Sequence, residues 1–177
     1  GVTRILVEEK MKISVSSLLD LALAAFVPSA VAAFDKNRLE VFFQERLINF
    51  LEADHYPVNH IMAVLGADNL QDWSQLRERL DAVAHFSGLT ESQALAAANK
   101  RISNILKKSQ ETVSTKLDST LFKENAEQAL FEKLNIVALD AQSLYETQDY
   151  TGSLQALAGL RDAVDAFFND VMVNAED

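Results

Sequence analysis

The chain contains no cysteine. Disulfides, thiolate metal sites and thiol nucleophiles are therefore excluded. Only 5 glycines and 2 prolines interrupt 177 residues, which disfavours strand-and-turn architecture and favours long helices. The 3 histidines are His55, His60 and His85. The first two are five positions apart, the wrong step for a shared helix face, so no histidine metal site is expected. Catalytic signatures are missing as well. There is no Gly-rich phosphate loop, no His-Glu-x-x-His, no Gly-x-Ser-x-Gly and no dinucleotide fingerprint. Glu8 with Glu9, and Asp162 with Asp165, read as solvated surface charge rather than acid/base pairs. The single Trp73 falls at a helical core spacing.

No apolar run is long enough to span a bilayer. Met11 to Phe34 superficially resembles a secretory signal, with Lys12, an apolar stretch from Leu18 to Val27, and small residues at Ala30, Ala32 and Ala33. Asp20 sits inside that stretch and Pro28 breaks it, so a buried Leu/Ala-rich helix is the expectation. What the chain has in plenty is apolar residues, 49%, enough for a core, and acid, with a formal net charge of −10. Taken whole, such a surface repels nucleic acid and anionic membrane. Any RNA contact must be local and salt-sensitive.

Apolar spacing predicts helices and no strand along the whole chain. Gly1–Glu9 begins without a cap and reads as the tail of a helix that starts upstream. Ser14, Ser16 and Ser17 offer caps for a second, running through Leu18 and Phe26 to Pro28 or a little past it. Asp35 caps a third over Lys36–Ala53, Asp54–Tyr56 is a turn, and Pro57 opens a short helix closed by Gly66. Leu70–Phe86 is the next, ended by Gly88. Thr90 with Gln93 has the form of a capping box that starts a helix continuing to about Ser109. Gln110–Thr120 reads as loop, Leu121–Tyr145 as a long helix, Thr147–Gly152 as a turn, and Ser153–Val171 as one last helix. The fold class expected is all-α, a helical bundle or array.

One stretch departs from the acidic background. Ala96–Ser109 reads Ala-Ala-Ala-Asn-Lys-Arg-Ile-Ser-Asn-Ile-Leu-Lys-Lys-Ser. Leu95, Ala98, Ile102, Ile105 and Leu106 form its apolar stripe, and Lys100, Arg101, Asn104, Lys107 and Lys108 occupy the other side without an intervening acid. Such a face is either an ordinary solvated surface or a docking strip for a polyanion. Composition and motifs alone leave a helical domain without its own active site.

Three segments carry a resemblance. Ala96–Leu106 is similar to the central helix of the β subunits of bacterial glycyl-tRNA synthetases and, more loosely, to the DALR anticodon-binding domain of arginyl-tRNA synthetase. Leu160–Asp177, with Phe167-Phe168 followed by Val171-Met172-Val173, looks like the closing segment of that domain. Gly1–Glu8 resembles the helix joining it to the preceding domain, and Asp81–Phe86 also fits.

The resemblance implies a DALR-type helical anticodon-binding domain over residues 35–177, with 1–34 as a helical linker from a preceding domain. It also implies a piece truncated at both ends, lacking an Arg- and Leu-rich last helix. The function implied is tRNA binding, chiefly at the anticodon arm, in support of glycylation in the cytoplasm. The implied partners are tRNA with a glycine anticodon and the α subunit of an enzyme with two α and two β subunits, with neither DNA nor membrane. No catalytic site or cofactor is implied in this chain, ATP and Mg being used on the α subunit. By position, Asn99, Lys100, Arg101, Asn104, Lys107 and Lys108 become the candidates for RNA contact. Glycine anticodons carry cytosines at their second and third positions, whose edges Arg and Asn side chains can read. Arg101 could instead bridge to Asp165 or Asp170, and Phe167, Phe168 and Met172 are expected in the core. The competing reading is a non-catalytic helical domain that binds another protein or is purely structural; a third, a secreted helical protein, requires cleavage near Ala33.

Overall fold

The computed structural model describes residues 1–31, 34–67, 70, 72–108, 117 and 119–171. Among them every regular element is helical: α1 (Val2–Glu8), α2 (Val15–Ala24), α3 (Pro28–Val31), α4 (Lys36–Ala53), α5 (Val58–Leu65), α6 (Leu76–Ser87), α7 (Thr90–Lys108), a 3-10 turn at Ser119–Leu121, α8 (Asn125–Glu146), α9 (Tyr150–Ala158) and α10 (Arg161–Asp170). The all-α expectation is met. The chain divides into two compact units, Gly1–Val83 and Ala84–Asp177.

The first unit is built on an aliphatic core. Leu47 and Leu51 of α4, Ile61 and Val64 of α5, and Leu76 and Leu80 of α6 are buried together with Val7 of α1. α1 delivers Val7 into the same core as α4, and this first unit runs to Val83. Trp73 is half-buried against this cluster, as its spacing predicts. Two expected caps form. The Ser14 hydroxyl accepts the Ser17 N–H at 3.0 Å, and the Asp35 carboxylate accepts those of Asn37 and Arg38 at 3.0 and 3.4 Å. A polar seam runs beside the core. The Tyr56 hydroxyl donates to Asp81 at 2.7 Å, and Arg77 pairs with Asp54 at 2.5 Å. Burial, then the bond and charge of Asp81, push the Tyr56 phenol up to about 12.

The scarcity of glycine shows at the helix ends. α1, α4 and α8 each finish in a Schellman turn, and the left-handed position is held by Lys10 (φ 49°), His55 (φ 69°) and Gln148 (φ 66°). The closing bonds are Met11 N–H to Leu6 O, Tyr56 N–H to Leu51 O and Asp149 N–H to Leu144 O. Non-glycine residues there are strained, since Cβ crowds the following carbonyl.

In the second unit α8 packs against α9 and α10, and α7 against α10 and α9. Small side chains allow the close approach. Ala126 and Ala141 of α8 and Ser153 and Ala158 of α9 are buried, and the Ser153 hydroxyl donates to Ala141 O at 2.9 Å. Several expected boundaries are displaced, among them the start of α9, at Tyr150 rather than Ser153. The single helix expected over Ser153–Val171 is two, α9 and α10, because the chain turns at Gly159 and Leu160, where the N–H groups bond Ala156 O and Leu157 O. α8 begins at Asn125, not Leu121, where the Glu127 carboxylate accepts the N–H groups of Lys123 and Glu124 at 2.7 and 2.8 Å. Thr90 lies inside α7, and its hydroxyl donates to Glu91 rather than capping the helix. Buried Ser92 secures that end by donating to Leu89 O at 2.8 Å. Ser109, most of the expected loop at 110–120, and Met172 lie outside the described residues.

Candidate functional site

The site is the outward side of α7. A rotation of about 100° per residue places Lys107, Lys100, Asn104, Lys108 and Arg101, in that order, within about 120° of arc. All five side chains are exposed. Asn99 is exposed too, but lies about 80° beyond Lys107 on the same count, so it does not share the face. The structure thus brings together five of the six candidates. Between Glu91 and Glu111 the sequence carries no acid, so nothing on α7 itself neutralises the four cations after its first turn. Among the described residues none of these four forms an ion pair. Lys107 and Lys108 also stand in the last turn, where the helix dipole favours positive charge.

Arg101 has a different partner from the carboxylates considered above. Its guanidinium carbon lies 4.2 Å from the centroid of the Phe168 ring on α10. No ion pair joins it to Asp165 or Asp170 among the described residues, and Asp165 lies 3.5 Å from Arg161 instead. Phe167 and Phe168 are half-buried and meet edge to face, 5.4 Å between centroids at 76°. The apolar stripe of α7 is only partly covered. Leu95, Ala98 and Ile105 are half-buried, whereas Ile102 and Leu106 are 41% and 50% exposed.

A surface depression of about 370 Å³ near the start of α7 is bordered by Glu91, Arg161 and Asp162. The Glu91 carboxyl is held below its ordinary range by its own backbone N–H and by the Thr90 hydroxyl, so both signs of charge meet there. Among the described residues no group of His, Asp and Glu could hold a metal ion, and no helix is long and apolar enough to cross a membrane.

Residues 95–177 match the DALR anticodon binding domain family. That segment opens within α7 and takes in α8, α9 and α10, so the cationic face and Phe168 both lie inside it. Over all 177 residues the chain is also 44% identical to the glycine–tRNA ligase beta subunits of Janthinobacterium sp. (strain Marseille) and Dechloromonas aromatica, and 40% identical to that of Shewanella sp. (strain W3-18-1). In each comparison the whole of this chain is covered, but it spans only about a quarter of the relative, 25%, 25% and 26%. What sequence reasoning missed at this site is Phe168. An aromatic doublet at helical spacing signals core, and only the crossing of α7 and α10 shows that one ring also faces a guanidinium.

Proposed function

We propose that this chain binds tRNA as part of a glycine–tRNA ligase beta subunit, with α7 of the DALR domain gripping the anticodon arm. The observation that carries the reading is the exposed cationic arc of Lys100, Arg101, Lys107 and Lys108, unpaired with any described acid and interleaved with the hydrogen-bonding Asn104. On a chain of net charge −10, that strip is where phosphate can approach without repulsion. Its similarity to beta subunits supports glycine as the amino acid served. In the same proposal, ATP, Mg and the adenylate chemistry belong to an α subunit, the assembly contains two α and two β subunits, and the enzyme works in the cytoplasm. Asn99 becomes a contact at the edge of the arm rather than a member of the strip.

The test is titration of the full chain with anticodon stem-loop RNA carrying a glycine anticodon and with a non-cognate one. Replacing both Lys100 and Arg101 with Ala is expected to weaken the cognate complex and to lower glycylation by the intact ligase. Unchanged glycylation with both substitutions refutes the assignment. Equal and negligible affinity for both RNAs favours the protein-interaction reading, for which Ile102 and Leu106 supply exposed apolar surface.

A further inference from the structure

The guanidinium groups of Arg46, Arg77 and Arg101 lie over aromatic rings, and they differ in what else they touch. Arg46 is 5.0 Å from the Phe42 centroid and Arg77 is 5.6 Å from that of Phe50. Arg77 is also committed to Asp54. Arg101 is the nearest to its ring, at 4.2 Å, and no described carboxylate takes up its N–H groups. It sits well within the roughly 6 Å reach of a cation–π contact. The ring beneath it is itself braced by Phe167. A guanidinium on an exposed helix ordinarily samples many rotamers, and an aromatic ring under one face removes much of that freedom before any ligand arrives.

We propose that Phe168 is a positioning residue that presents the Arg101 guanidinium as a platform for an unpaired nucleobase. The proposal rests on α7 being the RNA surface. Phosphate needs only positive charge, and Lys100, Lys107 and Lys108 supply it from the same arc. A planar cation with hydrocarbon on one side keeps its other side and its N–H edge for a partner that is also planar. An extruded base stacks on the open face, while the in-plane N–H edge stays free to donate to a neighbouring phosphate or base. A base-paired stem offers phosphate but no free face. Phe168 thus separates loop from stem without touching RNA.

The experiment uses the full chain with two probes, a glycine anticodon stem-loop and a fully paired RNA duplex of the same length. Phe168→Leu keeps an apolar side chain but removes the ring, and is expected to weaken loop binding about 2- to 5-fold with no change for the duplex. Phe168→Tyr is expected to restore loop binding. Arg101→Lys keeps the charge and loses the plane. It is expected to weaken loop binding about tenfold, the scale of one lost stacking contact, while the salt dependence stays that of the parent. Loop binding equal to the parent in Phe168→Leu, or a Phe168→Tyr variant as defective as Phe168→Leu, overturns the proposal. So does parental binding by Arg101→Lys, which means charge alone suffices. Should Phe168→Leu fail to fold, Arg101→Lys, an exposed change, decides the matter. Lysine variants of α7 that bind both probes as the parent does refute the RNA surface itself, a failure distinct from that of Phe168.

Discussion

Salt titration of RNA binding tests the cationic face most directly. The face holds four charges, and none is spent on a described acid. Each phosphate neutralised releases condensed counterion, so the log–log slope of affinity against salt is about −0.7 per contact on single strands and about −0.9 on duplex. With all four on phosphate the slope lies between about −2.8 and −3.6, and with Arg101 on a base the three lysines give about −2.1 to −2.7, a loss of roughly 20- to 40-fold in affinity between about 50 and 200 mM salt. The acidic remainder of the surface works against this, because added salt also screens its repulsion. That background cancels when a variant is compared with its parent. Replacing Lys100, Lys107 and Lys108 with Ala leaves Arg101, and is expected to make the slope shallower by about 2.1 to 2.7. Fluorescence anisotropy with labelled anticodon stem-loop at several salt concentrations measures both slopes. A triple variant whose slope stays within about 0.5 of the parent's places the phosphate contacts elsewhere and refutes the reasoning.

Further predictions concern the scaffold. Leu51→Ala in the fully buried core of the first unit is expected to destabilise that unit by about 3–4 kcal/mol through lost burial and an unfilled cavity; fluorescence of the single Trp73, which packs on this cluster, reports it in denaturant. His55→Gly and Gln148→Gly relieve left-handed backbone at φ 69° and 66°, and each is expected to raise stability by about 0.5–1 kcal/mol; a lowered denaturation midpoint in both contradicts the strain argument. The Glu127 carboxyl is held below its ordinary value by the backbone N–H groups of Glu124 and Lys123. A depressed folded-state pKa means that its stabilisation is complete above the unfolded value of about 4.3 and is lost as pH falls through the lower folded value. Amide chemical shifts of Lys123 and Glu124 are therefore expected to titrate on acidification, and Glu127→Gln to abolish that titration.

The legible part of this fold is the part coded by neighbours along the chain. Ser14 and Asp35 cap helices because an oxygen sits beside free N–H groups, a relation complete within three residues. The turns at Asp54–Tyr56 and after Thr147 fall where periodicity lapses, although His55 and Gln148 do the work that glycine usually does. The break at Gly159 was also written locally, in a residue that weakens helices. It was hidden by apolar spacing that continues in register across it. Thr90 failed as a cap because the chain was already helical there, a start secured by Ser92 against Leu89 and Ser87.

By itself the sequence determined that this chain is helical, that it has no cysteine, and that one acidic chain carries one uninterrupted cationic strip. These follow from composition and from the 3.6-residue period, which places Lys100, Asn104, Lys107 and Lys108 on one side of any helix they form. Only the tertiary structure decided that Val7 belongs to the core of Leu47 and Leu51, that Ile102 and Leu106 stay exposed, and that Arg101 meets Phe168 rather than Asp165. Those facts depend on which helices cross and at what height. Residues 67 positions apart in the chain, such as Arg101 and Phe168, share no local period that could announce their meeting.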